Sequence, residues 1–136
     1  RAARITAMVF DSELNDSQKH YESFVCDGVI LATPTGSTAY SSSAGGPALS
    51  SDVDAYSVTF SALHNPRIPP VVVKRTEVLS FTVEEECVFL CDGRFLKNIL
   101  PGDQVSVTAS VNTLKVYERP ENILTRLSES FGGKRA

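Results

Sequence analysis

Apolar and polar residues alternate along much of the chain with the period of two that is typical of β-strands. This alternation runs through residues 3–10, 56–63 and 105–111. In residues 56–63 the aromatic residues and valine lie on one face, and serine and threonine lie on the other. Short apolar runs predict further strands at residues 29–32, 71–73, 78–83, 87–91 and 114–117.

Turn-forming residues separate these runs. The polar stretch at residues 11–19 reads as a loop, and residues 64–70 contain three prolines, which exclude a central strand. Tight turns are predicted at residues 92–94 and 101–103, where glycine can adopt a positive φ. The chain is therefore expected to be a succession of short antiparallel strands.

The period changes near the end of the chain. After Pro120, one helical face carries apolar side chains at Ile123, Leu124, Leu127 and Phe131. Glycines at 132 and 133 are expected to end this helix. The whole pattern predicts a mainly β chain, a two-sheet antiparallel β-sandwich-like fold with a short helix in the middle and a helix at the end. At 136 residues, we expect residues 1–136 to form one domain.

Composition and charge narrow the range of partners. Hydrophobic residues make up 42% and charged residues 21% of the chain, as in an ordinary globular protein. The net charge is −3, so no broad basic face is expected and neither is general nucleic-acid binding. No apolar run approaches the length that spans a bilayer, and no secretory signal opens the chain, so we expect no membrane association.

The cysteines and histidines do not suggest a metal site. Three cysteines are present, at 26, 87 and 91, with no CxxC spacing, and the two histidines lie far apart in the sequence. We therefore expect no metal site. Reduced thiols in a cytoplasmic protein are the expected state.

The segment at residues 27–47, DGVILATPTGSTAYSSSAGGP, has an unusual composition for a core. Its strand ends at Ala32, and a proline and a glycine then require a tight loop. Thr35 or Ser37 is predicted to cap a helix of about two turns over residues 38–44.

Such a helix start can bind a ligand, because free backbone N–H groups and short hydroxyls converge there. An anion, a ribose or a base edge would fit, and the Tyr40 ring could stack on a base. Composition alone is equally compatible with an ordinary loop. The segment contains none of the GxxxxGK[ST], GxGxxG or GxSxG motifs.

The run TPTGSTAY at residues 33–40, preceded by Asp27-Gly28 and followed by SAGGP at residues 43–47, resembles the signature of the NAD kinase family. Later segments resemble the same family: Ser61-Ala62 with Asn65-Pro66, Asp92-Gly93-Arg94 where the third residue is usually Gln, Leu127-Ser128, and Phe131-Gly132-Gly133. The resemblance extends from about residue 24 to residue 133.

The resemblance covers one of two domains. The family has an N-terminal α/β domain, with a GGDG motif and an Asn-Glu pair, followed by a β-rich C-terminal domain that binds NAD. No GGDG occurs in these 136 residues. The chain thus resembles the C-terminal NAD-binding domain alone, and we expect it to contain no catalytic residue and to be inactive by itself.

The resemblance also implies which residues bind NAD. These are Asp27, Thr35, Thr38, Ala39, Tyr40, Ser43, Ala62 and His64. In the family, Asp27 would reach the nicotinamide half, Thr38 an adenine edge, and Ala62 the nicotinamide ring. Asp92 and Arg94 are implied to lie around the site or at a subunit contact. The bland alternatives stay open: a turn aspartate at 27, a core tyrosine at 40 and a surface histidine at 64.

The activity that the resemblance implies is phosphorylation of the 2′-hydroxyl of the NAD adenosine ribose to give NADP. ATP or polyphosphate would be the donor, with Mg²⁺, in a cytoplasmic homodimer or homotetramer. Two other functions are compatible with the sequence. One is a non-catalytic nucleotide-binding or scaffold module, and the other is a relative of the lipid or diacylglycerol kinases.

Overall fold

The computed structural model describes residues 3–11, 20–64, 67–112 and 122–132. Within these ranges the strands are β1 (Ala3–Asp11), β2 (His20–Cys26), β3 (Gly28–Ala32), β4 (Ala55–Ser61), β5 (Val71–Lys74), β6 (Glu77–Val83), β7 (Cys87–Cys91), β8 (Arg94–Ile99) and β9 (Gln104–Val107). The helices are a 3₁₀ helix (Thr35–Thr38), α1 (Tyr40–Ser43) and α2 (Ile123–Phe131). No described helix is long and apolar enough to cross a membrane.

The described strands form three antiparallel sheets. The first has four strands in the order β2-β1-β6-β9, the second has three in the order β3-β4-β5, and the third is the β7–β8 hairpin. In the four-stranded sheet, Ile5 of β1 lies opposite Phe24 of β2 and Val83 of β6. The predicted mainly β class with antiparallel pairing is confirmed.

The chain divides into two compact units. One comprises Arg1–Val29, Phe60–Pro69 and Arg75–Ala109, and the other comprises Ile30–Thr59, Pro70–Lys74 and Ser110–Ala136. The first unit contains the four-stranded sheet and the β7–β8 hairpin. The second contains the 3₁₀ helix, α1, α2, β5 and most of β3 and β4.

The first unit has an apolar core built on the alternation of its strands. The buried apolar side chains described in the four-stranded sheet are Ala3, Ile5, Ala7, Phe24, Cys26, Leu79, Phe81 and Val83. In β1 the alternate residues Ala3, Ile5 and Ala7 are buried, as a period of two requires. The rings of Phe24 and Phe60 pack with their centroids 4.6 Å apart, which adds aromatic contact to the buried area.

Most predicted strands occur within a residue or two of their expected ends. The strand predicted at residues 105–111 is shorter and ends at Val107. Two strands were missed, β2 and β8, because HYESFVC and RFLKNI mix charged and apolar residues without a regular alternation. The strand predicted at 114–117 and nearly all of the loop at 11–19 lie outside the described residues.

The turn between β7 and β8 matches its prediction. Cys91 pairs with Arg94 across a two-residue loop, and Asp92 and Gly93 have φ of 49° and 74°. Positive φ at both central residues is the requirement of a type I′ hairpin, which explains the Asp-Gly sequence. The second predicted turn also forms, with Gly102 at φ 88°.

The middle helix differs from its prediction. It begins at Thr35 as a 3₁₀ helix and continues as α1 after an interruption at Ala39. Neither Thr35 nor Ser37 caps it, so that prediction is wrong. The N-cap positions are Pro34 for the 3₁₀ helix and Ala39 for α1, and neither makes a side-chain capping bond. The Thr33 hydroxyl, just before the 3₁₀ helix, accepts a hydrogen bond from the Gly36 N–H at 3.1 Å. The 3₁₀ turn starts early because Pro34 already has helical backbone angles.

The predicted final helix is present as α2. The Asn122 side chain caps it by accepting from the Thr125 N–H at 2.9 Å, and the Gly132 N–H closes it on the Ser128 carbonyl at 2.9 Å. A side chain at Gly132 would meet that carbonyl, so glycine fits this end. Ile123 and Leu127 are half-buried.

Candidate functional site

Residues 33–46, named here the loop–helix segment, follow directly from β3 and all lie in the second unit. Backbone hydrogen bonds fold the segment back on itself. The Ala39 N–H donates to the Gly36 carbonyl at 3.1 Å, and the Gly46 N–H donates to the Ser41 carbonyl at 2.8 Å. Backbone hydrogen bonds therefore hold the segment in a compact helical turn at both its beginning and its end.

The segment has an exposed face and a buried face. The exposed face carries four of the predicted NAD-binding residues: Thr35, Ala39, Tyr40 and Ser43. Tyr40 is 65% exposed, which excludes the alternative that it is a core residue. Thr38 is half-buried. The structure therefore brings five of the sequence-predicted residues together on one short segment, with four of them accessible to a ligand.

The buried face is polar. Ser37 and Ser41 are 0% and 1% exposed. The Ser37 hydroxyl donates to the Pro34 carbonyl at 2.6 Å and accepts from the Leu49 N–H at 2.9 Å. Both of its bonds therefore hold the 3₁₀ helix in place, one within the loop and one to the chain that follows it.

Ser41 belongs to a group of three buried hydroxyls, named here the hydroxyl cluster: Ser41, Ser57 and Thr59. The Ser41 Oγ lies 3.1 Å from Thr59 Oγ1 and 3.4 Å from Ser57 Oγ. Ser57 and Thr59 are fully buried on β4, on the face of the strand that its alternating pattern would place toward solvent. The cluster therefore fixes α1 to β4 by side-chain hydrogen bonds.

Gly46 allows this contact. A Cβ at Gly46 would overlap the hydroxyls of Ser41 and Thr59 and come within 2.8 Å of the Ser41 carbonyl oxygen. The group that comes close to the backbone of Gly46 is thus the hydroxyl cluster of the protein itself, whereas Gly45 has a positive φ of 88°.

Three other predicted residues lie in the first unit: Asp27, Ala62 and His64. The Asp27 N–H donates to the Ser61 carbonyl at 2.8 Å, and the His64 N–H donates to the Val25 carbonyl at 2.8 Å. These bonds place Asp27 beside the segment that carries Ala62. All three predicted residues are exposed.

Ala62 has an unusual backbone. Its φ is 48°, in the left-handed region where side chains other than glycine are uncommon. A non-glycine residue there costs about 1 kcal/mol or more, and such residues cluster at functional sites. The strained turn presents Ala62 outward directly after β4.

Asp92 and Arg94 lie at the tip of the β7–β8 hairpin, and both are exposed. Their place around a ligand site or at a subunit contact stays a prediction.

The described titratable groups show three resolved pKa changes. Burial raises the pKa of the Cys26 thiol and that of the Cys87 thiol, which is only half-buried. The Ser50 hydroxyl, which donates to Asp52, lowers the pKa of that carboxyl. Among the described residues, no group of three or more His, Cys, Asp and Glu side chains could hold a metal ion.

Sequence reasoning missed Ser37, Ser41 and Thr59 as parts of the site's framework. The four-residue spacing of Ser37 and Ser41, one helical turn, was a usable signal that they share a face. Nothing local marks Thr59, because its partner lies 18 residues earlier in the chain.

Comparison with protein families gives a match over residues 2–119 to the ATP-NAD kinase C-terminal domain. The chain belongs to this family. The match covers most of the chain, including the loop–helix segment and the β7–β8 hairpin.

Several proteins with similar sequences are named NAD kinase. The chain is 32% identical over 106 residues to an NAD kinase of Thermoplasma acidophilum, which covers 76% of the chain and 39% of the relative. It is 37% identical over 106 residues to the NAD kinase of Thermoplasma volcanium, with the same coverage. With the NAD kinase of Shewanella halifaxensis it shares 32% identity over 131 residues, covering 93% of the chain and 42% of the relative. The chain thus spans about two fifths of these relatives.

Solved structures show the same fold. Yeast NADH kinase, in a complex with NADH, aligns over 98% of the chain and 50% of its own length, with a TM-score of 0.69 and 19% identity. An NAD kinase from Archaeoglobus fulgidus, in a complex with ATP, aligns over 82% of the chain and 41% of its own length, with a TM-score of 0.66 and 23% identity. The β architecture described above is therefore one that these kinases also contain.

Proposed function

We propose that this chain is the NAD-binding part of an NAD kinase, an enzyme that transfers the γ-phosphoryl group of ATP to the 2′-hydroxyl of the NAD adenosine ribose. The observation that carries the proposal is the exposed face of the loop–helix segment in a chain of the ATP-NAD kinase C-terminal domain family. The relatives named NAD kinase support this reading over a lipid kinase or a scaffold module.

On the loop–helix segment, the proposed contacts follow from chemistry and exposure. The ring of Tyr40 stacks against a base or ribose, and the hydroxyls of Thr35, Thr38 and Ser43 bond to polar edges of the dinucleotide. Ala39 separates the 3₁₀ helix from α1, and its small side chain lets the ligand approach the backbone.

In the first unit we propose that Asp27, Ala62 and His64 also bind NAD. The Asp27 carboxylate accepts hydrogen bonds from polar groups of the nicotinamide half. Ala62 offers a small apolar surface for the nicotinamide ring, held outward by its strained backbone. His64 contributes a polar ring at the end of the same segment. Asp92 and Arg94 are assigned to the surroundings of the site or to a subunit contact.

The phosphoryl donor is proposed to be ATP, with polyphosphate as an alternative donor. Mg²⁺ is proposed to enter on the donor phosphates, which is how this ion is commonly held in kinases. The described residues do not fit a metal site of their own, and no catalytic step is assigned to them. Catalytic groups are proposed to come from protein outside these 136 residues.

The setting of the enzyme is proposed from the same family membership. The product, NADP, places the enzyme in NADP biosynthesis. We propose a homodimer or homotetramer in the cytoplasm, where the three free cysteines would stay reduced.

The first experiment measures NADP formation from NAD, ATP and Mg²⁺ by the complete gene product and by the purified 136-residue chain. We expect turnover by the complete product and none above the no-protein control by the chain, because the chain contains no GGDG motif. Turnover by the isolated chain would contradict the assignment of catalysis to residues outside it. Absence of turnover by the complete product would contradict the proposed function.

A second experiment tests Asp27 in the complete gene product. Asp27→Asn is expected to raise the apparent constant for NAD more than that for ATP, because Asp27 is proposed to contact the nicotinamide half. Asp103→Asn is the matched control, since Asp103 accepts from the Leu100 N–H in the turn before β9. A change confined to the ATP constant would remove Asp27 from the NAD site.

A further inference from the structure

We infer that the hydroxyl cluster and Gly46 position the loop–helix segment for NAD, so that Ser41, Thr59 and Gly46 are positioning residues for nucleotide affinity. The inference rests on the proposed function. The juxtaposition that carries it lies wholly within the second unit, where α1 and β4 meet.

Ser41 and Tyr40 are adjacent on α1. Ser41 is the buried residue of this helix, and Tyr40 is its one aromatic residue and is exposed. On a helix consecutive residues point about 100° apart, and a rotation of α1 that moved Ser41 would also move Tyr40. The hydroxyl bond from Ser41 to Thr59 therefore fixes the direction in which the Cα–Cβ bond of Tyr40 leaves the helix.

The side-chain contact between α1 and β4 is made by hydrogen bonds between hydroxyls. Apolar contacts are non-directional, whereas hydrogen bonds depend on distance and angle. α1 has only four residues, and its buried side chain is a serine. So short a helix is not stable by itself. Its orientation is set by the Ser41 hydroxyl, by the Gly46 N–H bond to the Ser41 carbonyl, and by the close packing that Gly46 permits.

The three hydroxyls of the cluster are hydrogen-bonded to one another. No buried side-chain nitrogen or oxygen among the described residues lacks a hydrogen-bond partner. Ser41, Ser57 and Thr59 can therefore serve as a framework without a ligand. Removing the Thr59 hydroxyl deletes the shorter of the two bonds of the buried Ser41 hydroxyl and leaves it only the 3.4 Å contact with Ser57, which favours a shift of α1.

The decisive experiment compares two substitutions at Thr59 in the complete gene product. Thr59→Val removes the hydroxyl and keeps the volume, whereas Thr59→Ser keeps the hydroxyl and removes a methyl group. We expect Thr59→Val to raise the NAD constant about fivefold, the size of one lost hydrogen bond, with the ATP constant unchanged. Thr59→Ser should restore NAD affinity to within about twofold of the wild type.

Two serine controls separate positioning from simple loss of stability. Ser80 is a buried serine in β6 whose hydroxyl lies 2.7 Å from Ser106 Oγ, so Ser80→Ala removes a comparable hydroxyl pair from the other unit. Ser42 lies next to Ser41 but its hydroxyl donates to the carbonyls of Ala39 and Thr38, at 2.9 and 3.1 Å, and not to β4. Both Ser80→Ala and Ser42→Ala should leave the NAD constant within about twofold of wild type, whatever they do to the melting temperature.

All constants are to be measured well below the melting temperature of every variant. A normal NAD constant for folded Thr59→Val, or an equal rise in Ser80→Ala, would overturn the inference and leave the proposed function intact. A wild-type protein that neither binds nor phosphorylates NAD would overturn both. A rise in Thr59→Val that Thr59→Ser does not restore would also contradict the role of the hydroxyl.

Discussion

The four-stranded sheet and the loop–helix segment are held by different interactions. The sheet buries alternate apolar side chains, such as Ile5, Leu79 and Phe81, and its stability comes from the area removed from water. The loop–helix segment buries serines, and directional bonds among hydroxyls and backbone groups hold it. The side-chain contacts of the sheet are apolar and non-directional, whereas those of the segment are directional hydrogen bonds.

The comparison explains where the proposed ligand contacts occur. Short hydroxyl side chains bring the backbone of α1 close to β4, and Gly46 allows that approach. Tyr40 lies on the exposed side of the helix held in this way. Larger side chains at this contact would hold the helix farther from β4.

The largest expected effect on stability belongs to the sheet. Phe81→Ala should lower the free energy of unfolding by about 3–5 kcal/mol, since Phe81 is 6% exposed in the core of the first unit. Thermal or urea unfolding measures this loss. The NAD constant of the protein that remains folded should not change. A selective loss of NAD affinity would contradict the assignment of Phe81 to stability alone.

Gly46→Ala should affect both stability and binding. The added Cβ overlaps the hydroxyl cluster, and overpacking of this kind costs about 1–3 kcal/mol. Because the cluster orients α1, the NAD constant should rise as well. Gly28→Ala is the matched control, since a Cβ at Gly28 meets no atom within 4 Å and its φ is not positive. Equal effects of the two substitutions would contradict the close contact described at Gly46.

Tyr40→Ala should weaken NAD binding with little change in melting temperature. Loss of base stacking costs about 1–3 kcal/mol in affinity, whereas a side chain that is 65% exposed contributes little to the core. Calorimetric titration with NAD and a thermal melt of the same sample measure the two effects. A large drop in melting temperature with normal NAD affinity would show that Tyr40 stabilises the fold instead.

Thr38→Ala should have a smaller effect in the same assay. A single hydrogen bond to a neutral group contributes about 1 kcal/mol, a several-fold change in affinity. The backbone carbonyl of Thr38 already accepts from the Ser42 hydroxyl, so the substitution leaves the helix bond in place. An effect larger than that of Tyr40→Ala would reverse the assigned ranking of the two residues.

The smallest effect concerns alkaline pH. Burial raises the pKa of the Cys26 thiol above the ordinary value of about 8.5, so the folded state favours the protonated thiol. The contribution to stability is complete below that value and is lost as the pH rises toward the higher pKa of the folded state. Unfolding of wild type and Cys26→Ala between pH 7 and 10 should show a steeper alkaline decline in the wild type. Parallel curves would contradict the shift.

The strands that the sequence predicted are those with alternating apolar residues or a short apolar run. β1 was predicted from alternation and β6 from an apolar run, and the two pair in the four-stranded sheet, so local pattern and tertiary burial agree. β8 was missed because Arg94 and Lys97 interrupt its apolar residues on an exposed hairpin. There, pairing with β7 determines the strand and burial does not.

The candidate site was predicted in a different way. The position of the loop–helix segment and the exposure of Thr35, Tyr40 and Ser43 agree with the family resemblance. The buried partners of the segment could not be found locally, because Thr59 looks like the solvent side of an alternating strand. Only the tertiary structure shows that α1 covers that face of β4.

Binding of NAD to the exposed face of the loop–helix segment is measured by hydrogen–deuterium exchange of the complete gene product, with and without saturating NAD. We expect slower amide exchange in peptides that cover residues 33–46, because NAD binds the face of a segment that the hydroxyl cluster holds. Peptides from β6 (Glu77–Val83) should exchange at the same rate in both samples. Unchanged exchange in residues 33–46 under conditions where NAD is bound would show that NAD does not bind this segment.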